Sequence, residues 1–134
     1  MKYHLLGDLK DQPNCHIPEQ YFRERDCWVD ARGKDMLHID REANIGWCVK
    51  LVTQTHNTRP GYFGDVQNRK IIIGPKAFIA GFATLYNCII GEGAIIALET
   101  VVRSQQIPAY TMWAGNPAVM IKRFDHNTQK WEKV

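Results

Sequence analysis

The sequence has no apolar run near the roughly 20 residues that a membrane-spanning helix needs, so no spanning helix and no membrane partner are expected. Its opening, MKYHLLGDLKDQ, reaches acidic residues before any continuous apolar stretch forms, which argues against a secretory signal and for a cytoplasmic protein. No two of the four cysteines, Cys15, Cys27, Cys48 and Cys88, are separated by the two-residue gap of a zinc knuckle or a redox pair. Cys48 and Cys88 are expected instead as small buried hydrophobes. A net charge of +3 is too small to argue for a nucleic-acid partner, although it suits a phosphorylated ligand. An apolar share of 45% and a charged share of 23% exclude disordered and fibrous classes, and 134 residues suffice for one domain.

What the sequence does contain is a repeat. From Ile39, aliphatic residues recur every six positions at Ile45 and Leu51; the period resumes at Ile73, Ile79 and Leu85, and after one step of five at Ile90, Ile96 and Val102. Four places beyond most of them stands a small or β-branched residue: Ala43, Val49, Thr55, Ala77, Ala83, Ala94, Thr100. One place beyond stands Gly46, Gly74, Ala80, Gly91 or Ala97. A period of six matches neither the 3.6 of a helix nor a simple alternating strand. It fits short strands joined by tight bends, in which one aliphatic side chain per segment points inward and glycine or alanine lets the chain turn closely. Three such segments make one coil of a triangular prism, and stacked coils bury one another's inward residues. An ordinary sandwich of short strands would instead put turn signals every 8–12 residues.

This divides the chain into an irregular N-terminal cap over residues 1–35, an all-β parallel β-helix over 36–103, and a closing segment with a tail over 104–134. The run NTRPGYFGDVQNR breaks the period and is expected as a loop, 57–70, ejected from one corner of the prism. The tail, DHNTQKWEKV, is polar apart from Trp131, and is left open between a strand or helix against a neighbour and a frayed end.

Four features resemble the hexapeptide-repeat acyltransferases, in particular the branch with maltose, galactoside, virginiamycin and exopolysaccharide acetyltransferases. They are IIIGPKAFIAGFATLYNCIIGEGAIIALETVV (71–102), the closing AGNPAVMIKRF (114–124), the IP at 107–108, and TQTHN (53–57) directly before the ejected loop. The resemblance covers about residues 39–124. It implies a left-handed β-helix, a homotrimer with sites between subunits, and acetyl-CoA as acyl donor lying along the outside of the helix. It implies His56 as the base that takes a proton from a hydroxyl of a sugar or glycan precursor, which attacks the thioester directly. Gly81 then falls at the backbone contact to the pantetheine arm, Ala97 and Leu98 along the next coil, and Arg103, Ser104, Lys122 and Arg123 near the nucleotide end.

The chemistry suits these residues. A hydroxyl is a poor nucleophile at neutral pH, and a histidine with an ordinary pKa near 6.5 is matched to remove its proton as attack proceeds. Asp65, Glu42 or a backbone carbonyl would orient the imidazole. His38, Asn57 and Asp65 are candidates to meet the acceptor, although His38 reads equally as a solvated edge residue. Trp47, Tyr62, Phe63 and Trp113 offer aromatic faces to a sugar ring or to subunit packing. His38 and His56 are too few for a three-histidine metal site, so no metal is expected. Three departures from the family pattern bear on CoA. Leu98 and Glu99 stand where small residues are usual, Arg103-Ser104 stands where a Thr-Lys pair is common, and Val119 where a basic residue is common. The departures at Leu98, Glu99 and Val119 support an alternative, a trimeric scaffold or glycan-binding module without catalysis.

Overall fold

The computed structural model describes residues 2–134. In chain order the strands begin with β1 (His4–Gly7), β2 (Trp28–Ala31), β3 (Leu37–Ile39), β4 (Asn44–Ile45), β5 (Lys50–Val52), β6 (Gln54–His56), β7 (Val66–Asn68) and β8 (Ile71–Ile73). They continue with β9 (Phe78–Ile79), β10 (Thr84–Tyr86), β11 (Cys88–Ile90), β12 (Ile95–Ile96), β13 (Val101–Arg103), β14 (Gln106–Ile107), β15 (Thr111–Ala114), β16 (Val119–Asp125) and β17 (Lys130–Lys133). A single 3-10 turn (Leu9–Asp11) and a short α-helix, α1 (Glu19–Glu24), lie between β1 and β2 among the described residues.

The strands wrap into three faces. The first stacks β1-β2-β5-β10-β13, the second β3-β8-β11-β14, and the third β4-β9-β12-β15, all parallel; β16 and β17 then extend the third face with antiparallel pairs. This is the left-handed parallel β-helix: its coils are those the period of six predicts, and its hand is the one the resemblance implies. The repeat's aliphatic positions are its inward ladders. Val29, Leu51, Leu85 and Val102 line the first face, Ile39, Ile73, Ile90 and Ile107 the second, and Ile45, Ile79 and Ile96 the third, in register and buried. Each ladder presses chemically alike side chains together at the strand spacing, so every coil seals its neighbours.

The corners divide their work in a way the repeat alone did not indicate. The residue three places beyond the inward aliphatic holds the left-handed conformation: Cys48, Lys76, Phe82, Glu99 and Tyr110 have φ of 58°, 60°, 62°, 58° and 56°, and Gly93 has 65°. Most of these are not glycine, and they accept the strain because the corner is fixed by coils on either side. The glycines one place beyond the aliphatic serve close approach instead. A Cβ on Gly91 would stand 2.5 Å from the Ala109 nitrogen and 2.9 Å from the Ile107 carbonyl oxygen of the next coil, and both atoms are backbone. Gly91→Ala is therefore expected to cost about 1–3 kcal/mol, the range for forced overpacking. Gly64→Ala, with nothing within 4 Å, should unfold in urea like the parent.

Several expectations change. The N-terminal 35 residues are not simply irregular: Trp28 and Val29 pair with Lys50 and Leu51, and β1 pairs with β2, so the first face starts there. Phe22 of α1 is buried beneath that end, in the same core cluster as Val29. The tail pairs with its own chain, because Trp131 packs edge-on against Phe124 at 5.2 Å and carries β17 onto β16. Cys88 is buried as expected, and burial pushes its thiol up to about 12. Cys48 is not buried, since its corner conformation leaves it half-exposed. Thr55 is not a core residue either, because the chain has left the coil before it, on β6.

Candidate active site

Leaving the coil after Thr53, the chain makes a hairpin arm in which β6 pairs with β7, Gln54 to Asn68, Thr55 to Gln67 and His56 to Val66. The ejected loop is thus a two-stranded ribbon with a short tip. Its root is clamped to the first face. The Gln54 amide donates to Asp30 Oδ2 at 3.1 Å, the Thr53 hydroxyl to the Asp30 carbonyl at 3.0 Å, and on the return the Arg69 amide to the Thr53 carbonyl at 2.7 Å.

Asp30 is fully buried, and Arg32 grips both of its carboxylate oxygens, Nε at 2.9 Å and Nη2 at 3.0 Å. Burial alone would raise this carboxyl. The hydrogen bonds from Arg32, its charge, and the Gln54 amide prevail and hold it below the usual carboxylate range.

Between the arm and the outer surface of the first face runs an open groove of about 580 Å³. Because Leu51, Leu85 and Val102 point inward, their neighbours point out, and Val52, Tyr86 and Arg103 form the groove floor in register. The arm contributes Thr55, His56, Asn57, Gln67 and Arg69, and the next corner contributes Asn87 and Ser104, joined by a hydrogen bond of 3.0 Å. Tyr86 ties floor to arm through the Thr55 hydroxyl at 3.0 Å.

His56 ends β6. Its Nδ1 lies 2.6 Å from the carbonyl oxygen of Phe63 across the hairpin. A carbonyl only accepts, so Nδ1 donates to it, and in the neutral imidazole this places the lone pair on Nε2. Nε2 has no partner among the described residues. Of the possible orienting groups, the backbone carbonyl fills the role. Among the described residues no hydrogen bond or ion pair joins the Asp65 or Glu42 carboxylate to His56, and Asp65 meets the hairpin through its backbone carbonyl, which accepts from the Asn57 amide.

The structure thus brings His56, Asn57, Arg103 and Ser104 into one groove. The other candidate positions lie apart. Trp47 sits at the corner between the third and first faces, beside Gly81 and Leu98: a Cβ on Gly81 would be 3.2 Å from the Trp47 carbonyl and 3.6 Å from Leu98 Cδ2. Ala97 precedes Leu98 there, and Trp47 and Leu98 are both exposed. Tyr62 and Asp65 sit at the arm's tip, where Arg59 stacks on the Tyr62 ring at 4.4 Å. His38 is on the second face, bonded to Asp35 at 3.0 Å. Asp35 in turn accepts from Asn14 and faces Lys70; the Asn14 bond first, then the His38 and Lys70 charges, lower its carboxyl. Lys122 and Arg123 lie on β16, paired with Met112 and Thr111 of the third face. Reading the sequence alone missed Tyr86, Asn87 and Arg69. Tyr86 and Asn87 were discernible as the outward residue and the corner after Leu85, whereas Arg69 becomes visible only once the arm folds back. Among the described residues no group of three or more histidine, cysteine or acidic side chains is placed to hold a metal ion, and no helix is long and apolar enough to cross a membrane.

No protein-family model matches the chain. Over 70 residues it is 36% identical to WbbJ of Escherichia coli K12, which bears the name of a lipopolysaccharide-biosynthesis O-acetyl transferase; the match takes in 52% of this chain and 35% of that protein. A maltose O-acetyltransferase from Clostridium difficile 630 superposes with a TM-score of 0.69 at 23% identity, over 75% of this chain and 54% of that one. AntD, an N-acyltransferase from Bacillus cereus crystallised as a mutant with dTDP-4-amino-4,6-dideoxyglucose and coenzyme A, superposes at 0.64 and 17% identity over 76% and 60%. The chain therefore spans about a third of the curated relative and little more than half of these structures. The coils and these superpositions show that the chain shares the left-handed β-helix fold of these acyltransferases.

Proposed function

We propose that the chain transfers an acyl group, most simply acetyl from acetyl-CoA, to a hydroxyl of a sugar or glycan precursor, with His56 as general base. The observation that carries this reading is the 2.6 Å bond from His56 Nδ1 to the Phe63 carbonyl, which leaves a basic nitrogen beside the groove. Nε2 takes the proton of the acceptor hydroxyl as its oxygen bonds to the thioester carbonyl carbon. The C–S bond then breaks, and Nε2 returns the proton to the departing thiolate, so no acyl-enzyme is needed. Acetyl-CoA supplies the activated acyl group.

The chain's fit to CoA rests on the corner at Gly81. Its N–H has no acceptor among the described residues, and the absence of a side chain leaves that N–H open to an amide carbonyl of a pantetheine arm. Leu98 flanks that corner as an apolar wall beside such an arm. A homotrimer, in which a second copy would close the groove, fits the exposed apolar corner of Trp47, Phe82 and Leu98.

Thermal melting tests the reading cheaply. Acetyl-CoA at a hundredfold its dissociation constant should stabilise the fold by about 2.7 kcal/mol, and thiol release should follow with at least one sugar of a panel. Absence of both a melting shift at millimolar acetyl-CoA and thiol release would overturn it, and would favour the scaffold or glycan-binding module.

A further inference from the structure

The arm is a ribbon of two strands, β6 and β7, which pair with each other and with no strand of the coils. A lone pair of strands is marginal in water, so the arm's stance against the prism depends on ties outside the ladder. Three consecutive residues of β6 are each bonded elsewhere. The Gln54 amide meets Asp30 at the root, the Thr55 hydroxyl meets the Tyr86 hydroxyl, and His56 meets the Phe63 carbonyl on the other limb. The first bond sets where the arm leaves the coil, and the third orients the imidazole on the arm. Neither sets the angle at which the ribbon stands to the groove, because a ribbon held only at its root can swing about it.

The bond at Thr55 sets that angle. Tyr86 lies on β10, beside Val52 in register, and so one coil beyond the strand from which the arm springs. Its base is rigid: it pairs with Val52 on one side and Arg103 on the other, and its carbonyl accepts from the Ser104 amide at 3.0 Å. The 3.0 Å bond between the hydroxyls therefore leans the arm toward the next coil, across the groove floor. Thr55 passes the constraint to His56 through a single peptide unit, about 3.8 Å between Cα atoms. We propose that Tyr86 is a positioning residue, which through Thr55 holds the arm, and with it His56 Nε2, beside the groove. The role of His56 there rests on the acyl-transfer reading; the holding of the arm does not. Both side chains are half-buried, so water competes poorly for either hydroxyl.

Tyr86→Phe removes one oxygen and keeps the ring. In the full chain, deuterium exchange at the paired amides between 54 and 68 should quicken about 2–10-fold, the weight of one neutral hydrogen bond in a local equilibrium. Exchange along the inward ladders should stay that of the parent. In thiol release kcat should fall by a similar factor while the KM for acetyl-CoA holds, because fewer molecules keep the base in place. Thr55→Val should match Tyr86→Phe, and the double variant should be no slower than either, since all three lose the same bond. Thr55→Ser, which keeps a hydroxyl, should regain what Thr55→Val loses. Losses that multiply in the double variant overturn the assignment, because the two residues then act apart. A loss in Tyr86→Phe that Thr55→Val does not share overturns it as well, and makes the phenol a direct contact of substrate. So does exchange that quickens equally in coils and arm, or parent-like exchange and rate in both single variants. The two readings fail separately. A looser arm in Tyr86→Phe, where the parent releases no thiol with any sugar, sinks acyl transfer and leaves the tie standing; turnover with an unaltered arm does the reverse.

Discussion

Replacing His56 with alanine is expected to slow acyl transfer about 10²–10⁴-fold, the contribution of a well-placed general base, while acetyl-CoA still raises the melting temperature. The expected split follows from geometry. His56 lies at the end of β6 on an exposed arm and spends one nitrogen on the Phe63 carbonyl, so its loss removes a proton acceptor and one hydrogen bond, and touches none of the inward ladders. His56→Asn separates chemistry from scaffolding. Its amide can still donate to that carbonyl, yet it offers no basic nitrogen. Asparagine should therefore be as slow as alanine. If asparagine restored turnover, the role of His56 would be to hold the arm, and the base would have to be sought elsewhere.

The second large effect is expected at Asp30. Asp30→Ala removes a fully buried carboxylate, and with it both oxygens that Arg32 grips and the acceptor of the Gln54 amide. Breaking a buried pair costs about 3–5 kcal/mol. The lower end applies, because the Arg32 side chain is 45% exposed and can turn to water. A urea titration should show this as an earlier midpoint. The same pair predicts the direction of acid sensitivity. The carboxyl is held below its ordinary value of about 3.9 in the folded state. Its contribution is therefore complete above about pH 4 and is lost as the pH falls through the lower, folded value. Asp30→Asn should remove that part of the acid sensitivity. A variant that kept the parent's full loss of stability at low pH would show that another group carries it. Because the Gln54 amide begins β6, the variant should also loosen the arm that presents His56.

Both residues show where the sequence speaks and where it is silent. Ile73, Ile79 and Leu85 are legible because an inward ladder imposes the same aliphatic demand at every coil, and that demand leaves a period. His56 is legible because it stands where the period fails. The Phe63 carbonyl that orients it is not, since every residue but the donor's own offers the same backbone acceptor and no side chain marks the one chosen. Asp30 lies in a stretch without hexapeptide spacing, so its place on the first face became clear only from its pairing with the coil. A carboxylate that is buried reads in sequence like one that is solvated, until its partner is found. Cys48 and Glu99 illustrate a different silence. Their left-handed conformation is enforced by stacked corners, and local preference alone would have reserved such positions for glycine.

The antiparallel turn of β16 and β17 has a consequence for self-association. On the third face, β15 would otherwise offer the next parallel rung to any strand of matching spacing, including one from another copy, and such rungs could be added without end. The reversal at β16 puts an antiparallel ribbon in that place, and the outermost strand is spelled Lys-Trp-Glu-Lys, with a like positive charge at either end. An incoming copy would have to match a reversed direction and bring its own lysines against these. On this face the ribbon acts as a growth terminator, and the repeat that builds the coils stops short of building a fibre.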